Sequence, residues 1–93
     1  MIVGTLEVAI NLPWVHSLKE KRMVRRSLIA KIKNKFNVSI AEIDRMDAHK
    51  NLILGVCCIS NSKPHINSEL DEVLNYIYGH TDGVVEDVNM EIF

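Results

Sequence analysis

Eight of the eleven lysine and arginine residues of this 93-residue chain fall between positions 18 and 36: Lys19, Lys21, Arg22, Arg25, Arg26, Lys31, Lys33 and Lys35. Only Glu20 opposes them, so the stretch carries +7 inside a chain of net charge −1. The remaining residues carry −8. Such asymmetry points to a polyanionic partner, because clustered cations neutralise phosphates and release their counterions. At 100° per residue, Lys19, Arg22, Arg26 and Lys33 occupy about 60° of helical arc and form one row. Lys31 and Lys35 lie on the opposite flank. A solvated helix face that only keeps the chain soluble is the bland alternative, but such faces usually mix both signs.

Lys21 and Arg25 fall inside the apolar stripe of the same helix. A charge is rarely buried unless paired. Either the first turns overhang the sheet edge, or the two stems snorkel along apolar surface with their heads in water, which is the favoured reading. The nucleic-acid-binding set expected from the sequence is Lys19, Lys21, Arg22, Arg25, Arg26 and Lys33.

Other chemistry is sparse. Asp44, Asp47 and His49 share a polar segment and could ligate a metal, but such spacing is common in turns. The four histidines are scattered and form no zinc-type motif. No glycine-rich phosphate loop and no nucleophile motif occur. Cys57 and Cys58 are adjacent, and a strand sends such neighbours to opposite faces. Two buried free thiols are expected, with no disulfide or zinc site. Trp14 reads as a core or rim residue, with a binding anchor as the lesser alternative. No catalytic residue, cofactor, metal or small-molecule substrate is expected, and the chain is read as a non-enzyme.

The elements that position these residues follow from periodicity. Ile2, Leu6, Val8, Ile10 and Leu12 alternate with polar or small residues, giving a strand that Pro13 ends. Ser17-Leu18-Lys19-Glu20 is a capping box, with reciprocal bonds expected between Ser17 and Glu20. A helix should run from 18 to 36, with Val24, Leu28, Ile32 and Phe36 on its core side. Strands follow at 38–44 and 52–60. The second is apolar almost throughout, as in a central strand covered on at least part of both faces; if Leu52, Leu54 and Val56 face the helices, Ile53, Cys57 and Ile59 crowd the open side. Ser62 caps a second helix, with Pro64 in its first turn and Gly79 as its stop. Val84, Val88, Met90 and Ile92 give a last strand.

The order is strand, helix, strand, strand, helix, strand. Right-handed crossovers then place both helices on one face of an antiparallel sheet. The expected fold is α+β, ferredoxin-like βαββαβ, as a single domain over 1–93. No apolar run approaches the ~20 residues that span a bilayer. The N-terminus has no basic leader, so a cytoplasmic address without membrane contact is the expectation. RNA-recognition motifs stack bases on aromatics of the first and third strands. Residues 2–12 and 52–60 contain none, which argues against that mode of binding.

The segments His16-Ser17-Leu18-Lys19-Glu20-Lys21-Arg22, Phe36-Asn37-Val38-Ser39-Ile40-Ala41-Glu42 and Leu54-Gly55-Val56, with the Met1–Gly4 start, resemble the YlxP-like family of small bacterial proteins. The likeness runs end to end. It departs at Arg25, where an apolar residue is common. The resemblance implies a ferredoxin-like fold and no established activity. The family's genes often sit among translation genes, near initiation factor 2 and ribosome-binding factor A, which implies translation or ribosome association. The leading expectation is therefore an RNA- or ribosome-associated factor acting on the small subunit through its first helix. The rival is a protein-interaction module, a homodimer included, acting through the open sheet face or a sheet edge.

Overall fold

A computed structural model describes residues 1–93. The elements are β1 (Ile2–Asn11), α1 (Leu18–Lys35), β2 (Ser39–Asp44), β3 (Asn51–Ser60), α2 (Lys63–His80) and β4 (Val84–Ile92). The four strands form one antiparallel sheet in the order β2-β3-β1-β4, a ferredoxin-like α+β fold. Alternation sorts β1 and β3 as expected. Leu6, Val8 and Ile10 of β1 and Leu52, Leu54 and Val56 of β3 are buried under the helices. α1 packs over β2, and α2 packs over β1, β3 and β4. Leu28, Ile32 and Phe36 of the first helical segment and Ile66, Leu70, Val73 and Ile77 of the second complete the core.

Both helices start where a hydroxyl can satisfy free N–H groups. The Glu20 N–H donates to Ser17 Oγ at 3.1 Å, and the His65 N–H donates to Ser62 Oγ at 3.3 Å. The return bond from the Ser17 N–H to the Glu20 carboxylate is not formed, so only half of the capping box exists. Gly79 does not stop α2, which runs on through His80. The Thr81 N–H donates to the Ile77 carbonyl, and His80 Nδ1 lies 2.9 Å from the Tyr76 carbonyl. These partners serve the last turn without a left-handed residue, and Gly79 has no positive φ.

The inward residue near the start of β4 is Val85, not Val84. The register with β1 shifts between Ala9 and Ile10, which pair with Asp87 and Val85. Glu86 is thus an extra, bulged residue, and everything before it changes face. Val84 is 58% exposed as a result, while Val85 packs on the core. The freed Glu86 carboxylate accepts a hydrogen bond from Asn11 Nδ2 at 2.9 Å.

Candidate functional site

Of the six expected nucleic-acid contacts, four are presented to solvent. Lys19, Arg22, Arg26 and Lys33 are exposed along α1, as are Lys31 and Lys35 on its other flank. None of these six exposed cations is in an ion pair, since both salt bridges of the protein join Glu42 to Lys21 and Arg25. Lys35 lies over the rings of Phe36 and Tyr76, 5.9 and 5.6 Å from their centroids.

Lys21 is different, and its expected role as a phosphate contact is corrected here. It is fully buried. Its ammonium donates to the carbonyls of Arg45, Ala48 and Asn51 at 2.9, 2.7 and 3.0 Å. Glu42 Oε2 lies 2.7 Å from the same nitrogen. That oxygen still has no directed hydrogen bond, because the three N–H groups are spent on the carbonyls and the carboxylate meets them as a counter-charge. Arg25 bonds the other carboxylate oxygen, Nη1 to Oε1 at 2.9 Å, and its side chain is 25% exposed. The two cations therefore neither overhang the sheet nor snorkel. They clasp one buried carboxylate on β2 and tie α1 to the β2–β3 loop. Arg45 sits in the left-handed region of that loop, at φ 51°, with its N–H on the Asp44 carboxylate.

Glu42 is the residue that the sequence reading missed. Its signal was present. Two cations spaced i, i+4 on an apolar stripe require a carboxylate from elsewhere, and β2 contains only two acids.

The face of the sheet away from the helices has two halves. Over β2 and β3 it is apolar, with Ile43 41% and Ile59 64% exposed and Ile53 and Cys57 half-buried. A shallow depression of about 470 Å³ runs from there across β1 to β4, lined by Ala41, Ile43, Gly55 and Cys57 at one side and by Glu7 and Glu91 at the other. A second hollow, reaching from the end of β2 to β4, is lined by Glu7, Asp44, Glu86 and Asp87, with Arg45 among them. Residues 69–91 carry seven carboxylates and no lysine or arginine. Acidic charge is thus gathered on α2 and β4, across the sheet from the β2 edge that α1 covers.

No three of His, Cys, Asp and Glu converge anywhere in the fold, so Asp44, Asp47 and His49 do not form a metal cluster. Both cysteines are free, and only Cys58 is buried, correcting the expectation of two buried thiols. The difference follows from the strand itself: Cys58 faces the helices and Cys57 the open side. Burial pushes the Cys58 thiol up, and the charges of Glu69 and Cys57 add to the shift. Cys58 therefore stays a thiol at neutral pH and a poor nucleophile. A thiol reagent applied to the native protein should modify one cysteine, Cys57, and both only after unfolding. Peptide mass spectrometry reads the ratio, and labelling of Cys58 first would contradict the face assignment.

No helix is long and apolar enough to cross a membrane. Over residues 3–90 the chain matches a family described as Protein of unknown function (DUF503). It is also similar to a protein of Bacillus subtilis (strain 168) named Uncharacterized protein YlxP, with 41% identity over 61 residues. That alignment covers 66% of this chain and 66% of the relative, just short of two thirds of each. With a family match that reaches every one of its six elements, the chain belongs to the DUF503 family of YlxP-like proteins of unknown function.

Proposed function

We propose that this protein is a non-enzymatic RNA-associated factor that holds phosphates along the exposed side of α1. The observation that supports this is the set of six exposed cations without ion-pair partners on one 18-residue helix that contains a single acid. Lys19, Arg22, Arg26 and Lys33 make the contact row, about 21 Å from end to end at 1.5 Å per residue. Lys31 and Lys35 extend the positive field over the opposite flank. Lys21 and Arg25 build the scaffold beneath, and Arg25 contributes at most its outer edge. The translation-linked genes implied by the family resemblance make the small ribosomal subunit the first RNA to try.

Replacing Arg22 and Arg26 together by glutamine should weaken binding to RNAs of unrelated sequence by similar factors. It should also flatten the dependence of log K on log salt by about one unit per lost contact. The fold should hardly notice, since exposed substitutions usually change stability by about 0.5 kcal/mol or less. Co-sedimentation with 30S subunits across a salt series measures both quantities. Equal affinities and equal slopes would reduce α1 to a solvated face.

A second reading is supported by the apolar half of the open sheet face. Exposed Ile43 and Ile59 beside Cys57 suit a protein partner, a second copy included. Pairing of the whole face with its own copy would bring Glu7, Asp87 and Glu91 toward like charges. A homodimer is therefore proposed through the β2–β3 half or the β2 edge.

A further inference from the structure

We propose that Trp14 is a stacking platform for one unpaired nucleobase, seated in the cleft between α1 and the C-terminal end of α2. The proposal rests on the reading of α1 as a phosphate-binding helix and adds to it a subsite that takes a base.

Trp14 is the only tryptophan of the chain and is 40% exposed. Its mounting is rigid. The residues on either side of Pro13-Trp14, Leu12 and Val15, are both fully buried. The Val15 N–H closes the turn onto the Leu12 carbonyl at 3.1 Å, and Lys50 Nζ donates to the Pro13 carbonyl at 2.8 Å. A backbone fixed in this way leaves only the two side-chain torsions of the indole to be ordered when a flat partner lands on it.

The cleft beside it has a volume of about 340 Å³ and is open to solvent. That is at the small end of the roughly 300–1,000 Å³ typical of ligand sites. Its apolar walls are Trp14, Met23 and Leu28, and its rim carries Lys31, His80 and Asp82. A nucleobase matches that division, with a flat π surface for the indole and a polar edge for the rim. The surrounding charge selects the same occupant. Met23, 64% exposed, lies one turn from both Lys19 and Arg26 on α1, so the mouth of the cleft adjoins the cation row. A strand whose phosphates follow that row can turn a base into the cleft. A purely apolar peptide would gain nothing from the same cations. The open sheet face, where related folds stack bases, offers no aromatic on β1 or β3.

Because the indole is unique, its fluorescence reports on this cleft alone. The test compares a short single-stranded RNA with an abasic strand carrying the same number of phosphates. The ordinary strand should quench Trp14, and the abasic strand should not. The abasic strand should bind on the order of tenfold more weakly with the same salt slope, since stacking carries no charge. Trp14→Ala should show the same tenfold loss on the ordinary strand and little further loss on the abasic one. Trp14→Leu, which preserves more apolar bulk, should behave likewise and guards against a misfolded alanine variant. Equal binding of both strands with unchanged fluorescence would overturn the platform and leave the α1 reading intact. Failure of both strands to bind would remove the α1 reading and the platform with it.

Discussion

Replacing Glu42 by glutamine should destabilise the protein by about 3–5 kcal/mol, the cost of leaving a buried charge without its partner. The substitution keeps the side-chain shape and removes only the negative charge beside Lys21, which has no exposure to water. Three carbonyls would still accept from the ammonium, but dipoles alone do not replace a counter-ion in a dry site. Domains of this size are typically stable by about 5–15 kcal/mol, so a loss of this kind consumes a large share of the total. Lys21→Met should also be costly, because it orphans the carbonyls of Arg45, Ala48 and Asn51 and leaves Glu42 to Arg25. The double variant Lys21→Met/Glu42→Gln should lose clearly less than the two single losses combined, since no buried ammonium is then left without its counter-ion. Urea unfolding of the four proteins measures the cycle. A change below about 1 kcal/mol for Glu42→Gln would mean that the carboxylate is not the partner of Lys21. The contrast with Arg22→Gln/Arg26→Gln on the same helix is the sharpest feature, because those variants should affect binding and spare stability.

Two glycines in the central strands should respond in opposite ways to the same change. Gly4→Ala is expected to cost about 1–3 kcal/mol, and Gly4→Val more. Gly4 faces α2, and a Cβ there would collide with Ile66 and Leu70, both fully buried and unable to yield. The missing side chain is what lets the helix approach the sheet so closely. Gly55 lies on the other face. An added Cβ would meet only the side chain of Ile43, with 2.7 Å to its Cγ2, and Ile43 is 41% exposed, so a turn about its χ1 has solvent to move into. Gly55→Ala should therefore be neutral, or stabilising by a few tenths of a kcal/mol, because alanine loses less backbone freedom on folding than glycine. Thermal or urea unfolding gives both signs. Destabilisation by Gly55→Ala equal to that of Gly4→Ala would contradict the packing described for the two faces.

The strands and helices were legible because burial on one side imposes a period, and Leu6, Val8, Ile10, Leu28, Ile32 and Ile77 obey it without exception. The bulge of β4 and the burial of Lys21 were missed because a distant residue decides each. Val84 satisfies the alternation of β4 as well as Val85 does, and only pairing with β1 reveals the bulge at Glu86. Gly79 is a good local stop, yet His80 and Thr81 provide partners that let the helix run one residue further. Lys21 broke the stripe of α1 on any helical projection. Its place in the stripe was readable, but its partner was not, since Glu42 lies on another element. The exposed cation row was readable from spacing alone. The cleft at Trp14 was not, because it joins residues from a turn, from the middle of α1 and from the end of α2.

The separation of charge across the molecule also governs how it would travel. With a net charge of −1, the protein feels almost no overall pull toward a polyanion at long range. Within about a Debye length, roughly 10 Å at 0.1 M salt, the separated charges exert a torque instead. The α1 edge swings toward the polyanion, and the carboxylates of α2 and β4 swing away from it. Encounters are thereby sorted by orientation before contact, so added salt should slow productive arrival by blurring the approach as well as weakening the final grip.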